Sequence, residues 1–68
     1  MKITLTLNEL EILRKLAEGV REEQLAQNLH LKKQVIVDLK KTLLRKVGVQ
    51  NPLKAFQLLA KKGFEIRD

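Results

Sequence analysis

Residues 34–41, QVIVDLKK, decide whether this chain holds a buried strand or a third helix. The three β-branched residues in a row favour a strand by propensity, but propensity is a weak prior and the spacing of the apolar residues is more informative. At 100° per residue, one narrow sector contains Ile36, Leu39, Leu43 and Val47. Because this stripe continues past the length of a typical strand, it predicts a helix from about Lys33 to Val47.

A capping box opens the first predicted helix. The hydroxyl of Thr6 is placed to accept a hydrogen bond from the backbone amide of Glu9, and the Glu9 carboxylate to accept one from the Thr6 amide. Apolar residues then recur at helical spacing as far as Gly19, a residue type that favours helix ends. These signals predict a helix from about Leu7 to Glu18.

Two further helices complete the predicted domain. The second opens on paired acids, which suit a helix N-terminus, and runs from Glu22 to about Asn28. The fourth follows the Asn51-Pro52 cap and ends at Gly63. We therefore expect an all-α, four-helix domain over residues 1–68, in which helices two and three form a helix-turn-helix.

Composition excludes several classes of function. The chain has 68 residues, of which 44% are hydrophobic and 32% charged, as expected for one small folded domain. It has no cysteine, and His30 is its only histidine, so we predict no disulfide, no metal site and no cofactor. No nucleophile and base are paired, which predicts that the protein is not an enzyme. The lack of a long apolar run or a signal peptide predicts a cytoplasmic protein.

Positive charge is concentrated in the second half of the chain. The net charge is +6, yet residues 29–62 contain nine Lys or Arg and a single acid, Asp38. A basic run of this kind is often only a solvated surface, but on a helix-turn-helix it favours a polyanion as the partner. Double-stranded DNA is the partner that we predict.

The face of helix three opposite its apolar stripe is the predicted reading surface, because this face of a helix-turn-helix enters the major groove. Amide, acidic, cationic and methyl-bearing side chains there match base edges, and we expect base contacts from Gln34, Val37, Asp38 and Lys41. We expect phosphate contacts from Lys32, Lys33, Lys40 and Arg45. Asp38 has two open roles, since it could accept from cytosine N4 or pair with Lys41 three residues on.

Three segments resemble the GerE/LuxR-type DNA-binding domain of bacterial transcription regulators: residues 5–20 (LTLNELEILRKLAEGV), 22–31 (EEQLAQNLHL) and 43–55 (LLRKVGVQNPLKA). The resemblance implies a four-helix domain with the third helix in the major groove, acting in transcription regulation. Members of this family often pair through the fourth helix. The resemblance thus implies a homodimer in which Leu58 and Leu59 are candidate contacts.

The sequence departs from the family pattern across the start of helix three, where DNA would be contacted. Where the family usually has Ser-x-x-Thr-Val-x-x-His, this chain has Lys32, Val35, Ile36 and Leu39. Glu22 and Glu23 also put negative charge on the second helix. An alternative is therefore a protein-interaction module that keeps the fold without reading DNA. A basic helix on an anionic membrane is a third reading, disfavoured because Trp and Tyr are lacking and the apolar stripe is needed in the core.

Overall fold

The computed structural model describes residues 3–67, which form six elements. In chain order these are β1 (Ile3–Leu5), α1 (Leu7–Ala17), α2 (Glu22–Asn28), α3 (Lys33–Val47), α4 (Pro52–Lys62) and β2 (Phe64–Ile66). The predicted four-helix architecture is confirmed, and QVIVDLKK lies in the first half of α3. Two predicted helix ends shift by one residue, since Glu18 caps α1 and Gly63 caps α4 instead of being the last helical residue.

A two-stranded parallel sheet, which the sequence did not predict, joins the two ends of the described chain. Ile3 pairs with Phe64 and Leu5 with Ile66, and the Arg67 amide extends the ladder by donating to the Leu5 carbonyl at 2.8 Å. The sheet holds Leu5, which is fully buried, against the helices, and Phe64 packs at the edge of the core. The strand pair therefore fixes the start of α1 and the end of α4 relative to each other.

The predicted capping box is present and also links two helices. The Glu9 amide donates to the Thr6 hydroxyl at 3.1 Å, and the Thr6 amide donates to Glu9 Oε1 at 2.9 Å. The same carboxylate accepts from Lys46 Nζ in the last turn of α3, at 3.1 and 3.3 Å. Glu9 thus both caps α1 and ties it to α3.

The core lies where α1, α3 and α4 meet, with α2 packed against α3. Its buried apolar side chains are Leu5, Ile12, Leu13, Leu25, Ala26, Ile36, Leu43, Val47, Ala55 and Leu59. The predicted stripe of α3 supplies three of these, with Leu39 partly buried beside them. No helix described among residues 3–67 has the length and apolar character required to cross a bilayer.

Candidate nucleic-acid interface

The turn between α2 and α3 sets the direction of α3 relative to α2. His30 adopts a left-handed backbone with φ 57°. Its amide donates to the Gln27 carbonyl at 3.2 Å, and the Leu31 amide donates to the Ala26 carbonyl at 2.8 Å. These two bonds form a Schellman motif, a common helix ending whose left-handed position is usually Gly. Histidine is among the residues that tolerate this conformation. His30 is thus a turn residue.

Most of the predicted contact residues of α3 are exposed to solvent. The exposed ones are Lys32, Lys33, Gln34, Asp38, Lys41 and Arg45. Val37 and Lys40 are only partly exposed, because they flank the side of α3 that packs on the domain. The structure thus brings the predicted base-reading and phosphate-contacting side chains together on one helix, with Lys32 at its N-cap.

Asp38 is bonded to Gln34 and not to Lys41, which corrects one of the two roles considered for it. The side-chain amide of Gln34 donates from Nε2 to Asp38 Oδ1 at 2.9 Å, one helical turn away. Gln34 lies four residues before Asp38 and was also within reach on the helix surface, but from the sequence only Lys41 was considered as a partner. Lys41 is consequently left without an acidic partner within the described chain.

Lys33 forms an ion pair with the helix that precedes it. Its Nζ lies 2.9 Å from Glu23 Oε1 on α2, with both side chains more than half exposed. The hydrogen bond with Glu23, and then the charge of that carboxylate, raise the pKa of Lys33. Glu23 therefore reduces the positive charge that Lys33 offers to a phosphate, an interaction across two helices that the sequence did not reveal.

Four cations on or beside this face remain unpaired within residues 3–67, namely Lys32, Lys40, Lys41 and Arg45. All four belong to α3 or to its N-cap. Because no carboxylate within the described chain neutralises them, their charges are available to an anionic partner. They form what we call the α3 cation face, defined by these four residues.

An apolar border lies beside the entrance to α3, a feature that the sequence analysis missed. Leu29, Leu31 and Val35 are 43%, 42% and 39% exposed. Leu29 and Leu31 also line an open groove of about 560 Å³, which Ile12 of α1 and Leu39 of α3 line as well. The one available signal was the pair of leucines that flanks His30, since a turn on a protein surface is usually polar.

On α4, the two leucines named as dimer candidates occupy different environments. Leu59 is 1% exposed and belongs to the core, whereas Leu58 is partly buried at its edge. Leu53, in the first turn of α4, is 49% exposed. Contacts of another chain with α4 would therefore involve Leu53 and Leu58, because Leu59 is already covered.

Comparison with known proteins gives one family. The family model GerE, described as bacterial regulatory proteins of the LuxR family, matches residues 3–59. This match extends from β1 through the helix-turn-helix and into α4. Neither the curated proteins nor the solved structures gave a match.

Proposed function

The chain belongs to the LuxR family of bacterial regulatory proteins, and on this premise we propose that it is a transcriptional regulator that binds double-stranded DNA with α3 in the major groove. The observation that carries the proposal is the α3 cation face. Four unpaired cations there share one helix with exposed Gln34. A helix of a helix-turn-helix that presents amide and cationic groups in this way has the chemistry of base and phosphate contacts.

In the proposed complex the side chains have separate tasks. Lys32 lies at the helix entrance and Arg45 about three and a half turns further along, so both are suited to phosphates at the margins of the groove. Gln34 and Lys41 lie on the outermost sector of α3, where side chains reach base edges. Val37 offers methyl groups to thymine, although its partial burial limits its reach.

The first experiment is an NMR titration of the labelled protein with a mixed-sequence duplex of about 20 base pairs, at low and near-physiological salt. The expected result is a set of shifts confined to residues 32–45 that weakens steeply as salt rises, because each neutralised phosphate releases counterions. Shifts that leave α3 untouched, or no shifts even at low salt, would refute the proposal.

Matched charge variants sharpen this test. In Lys32→Gln and Arg45→Gln, each substitution should make the fall of log K with log salt less steep by about 0.9, because both cations are assigned to phosphates. Lys61→Gln is the control, since Lys61 is an exposed cation in the last turn of α4 and its loss changes the net charge equally. If all three variants weaken binding alike, the cations act only through net charge and α3 is not the contact surface.

The apolar border supports a second candidate, a protein-interaction module that keeps the fold without reading DNA. Leu29, Leu31 and Val35 form an exposed apolar strip where a DNA-binding face would usually be polar. A partner held there should resist salt, unlike DNA. Leu31→Ser should abolish such a contact yet leave the salt slope for DNA unchanged, so the two candidates give opposite results.

We also propose that α4 mediates a homodimer, through Leu53 and Leu58. Family resemblance supports the location, and the 49% exposure of Leu53 leaves apolar surface there. Sedimentation equilibrium is the test. A mass of two chains that returns to one chain in Leu53→Ser supports the dimer, whereas one chain at all concentrations refutes it.

A further inference from the structure

We propose that Gln34 reads an adenine and that Asp38 is a positioning residue, which orients the Gln34 amide for that contact. The inference rests on the proposed DNA binding and deepens it by naming the base. It starts from the 2.9 Å hydrogen bond that joins Gln34 Nε2 to Asp38 Oδ1 on the exposed side of α3. Within residues 3–67 neither side chain has another side-chain partner.

The chemistry of the two groups fixes which way the amide points. An ionised carboxylate only accepts hydrogen bonds, so the nitrogen of the Gln34 amide must face Asp38. That bond uses one of the two hydrogens on Nε2. In the proposed arrangement the bond to Asp38 uses the hydrogen anti to Oε1, which leaves Oε1 and the N–H beside it for a base. Asp38 thereby converts a freely rotating amide into a donor and acceptor pair of fixed orientation.

This pair complements adenine in the major groove. Adenine presents an N6 amino donor beside an N7 acceptor, to which a glutamine amide binds with both of its groups. Guanine presents two acceptors there, O6 and N7, and the nearby Asp38 carboxylate would repel both. Holding the amide in advance also removes part of the rotamer entropy that a free glutamine loses on binding.

Glutamine bonded to an acid at this spacing also stabilises a helix slightly, so the test must separate the proposed positioning role from a purely structural one. The chain offers a matched control in α2, where Gln24 Nε2 donates to Asn28 Oδ1 at 3.1 Å, also one turn apart. Gln24→Ala removes a bond of the same spacing away from α3. It should leave the base preference unchanged.

The test selects preferred sites from a random duplex library with the full chain and then measures affinities with each base at each position. The wild type should prefer adenine at one position about tenfold or more, and Gln34→Ala should lose this preference there alone. In Asp38→Ala the preference should fall several-fold. Asp38→Asn should lose less of it than Asp38→Ala, because an asparagine Oδ1 still accepts from Gln34 while the asparagine NH2 also permits the reversed amide. Both Asp38 variants should bind mixed-sequence DNA more tightly, since each removes a negative charge.

Separate outcomes overturn separate claims. If Asp38→Asn loses the preference as Asp38→Ala does, the carboxylate acts through its charge and the positioning role is refuted. If DNA is bound but no position depends on Gln34, the adenine contact is refuted while the proposed function stands. If even mixed-sequence DNA is not bound, both fail together. Circular dichroism of every variant checks that the helices are retained.

Discussion

Replacing Glu9 with glutamine tests how the capping box and the link between α1 and α3 hold this small fold together. Glutamine keeps an oxygen that accepts from the Thr6 amide but removes the charge that faces Lys46 and the N-terminus of α1. A carboxylate in the first turn of a helix contributes about 0.3–1 kcal/mol. An ion pair adds about 0.2–1 kcal/mol, and the upper part applies because the Glu9 side chain is only 16% exposed. We therefore expect a loss of about 1 kcal/mol, or roughly 4–8 °C in Tm.

The same substitution should have a pH signature. Burial raises the pKa of Glu9, but the Thr6 amide and Lys46 together outweigh burial and hold that pKa below its ordinary value of 4.5. A carboxyl whose pKa is lower in the folded chain stabilises the fold above its unfolded pKa, and this stabilisation is lost as the pH falls through the folded pKa. The stability of wild type and Glu9→Gln should thus differ near neutral pH and converge in acid.

Urea unfolding followed by circular dichroism, from about pH 7 to about pH 2, measures this difference. A double-mutant cycle with Lys46→Gln isolates the ion pair, for which we expect a coupling of about 0.5 kcal/mol. Glu11→Gln is the control, since Glu11 pairs with Arg14 inside α1 and links no second helix. A loss in Glu9→Gln that is equally large in acid would refute the electrostatic account, and a coupling of zero would refute the link to α3.

Three further predictions concern the turn, the core and the interface. His30→Gly should raise the free energy of unfolding by about 1 kcal/mol in urea, because glycine adopts the left-handed backbone without strain, whereas His30→Ala should give no such gain. Leu43→Ala should lower that free energy by about 3 kcal/mol, since Leu43 is fully buried, while Leu53→Ala at 49% exposure should change it by less than about 0.5 kcal/mol. Glu23→Gln should break the ion pair of Lys33 and so tighten DNA binding at low salt. The fall of log K with log salt should become steeper by about one unit, and an unchanged slope would show that Lys33 contacts no phosphate.

The helices could be predicted from the sequence because their signals are local. The Thr6 cap, the Asn51-Pro52 pair and the glycines that follow α1 and α3 each lie within a few residues of the helix end that they define. The strands could not be predicted in the same way. Ile3 and Phe64 each belong to a strand of three residues, and their pairing joins opposite ends of the chain. A strand that short carries no pattern from which its partner can be identified.

The polar contacts of the candidate interface were only partly accessible to sequence reasoning. Helical spacing placed Gln34, Asp38 and Lys41 on one face, and the structure agrees. Spacing could not decide between the two neighbours within reach of Asp38, because that choice depends on side-chain rotamers. The Glu23–Lys33 pair joins two helices, so it depends on how α2 packs against α3 and not on either helix alone.

The side chains that hold this fold and those proposed to contact DNA are almost separate sets. None of the buried core residues belongs to the α3 cation face, and of its four members only Lys40 is partly buried. Substitutions at exposed positions usually change stability little, so this face can diverge while the family scaffold is kept. Membership of the family therefore fixes the fold, and under the proposed function the preferred DNA sequence depends on this face. Lys32 is a departure of this kind, and Asp38 on the same helix supplies the acceptor that we propose orients Gln34.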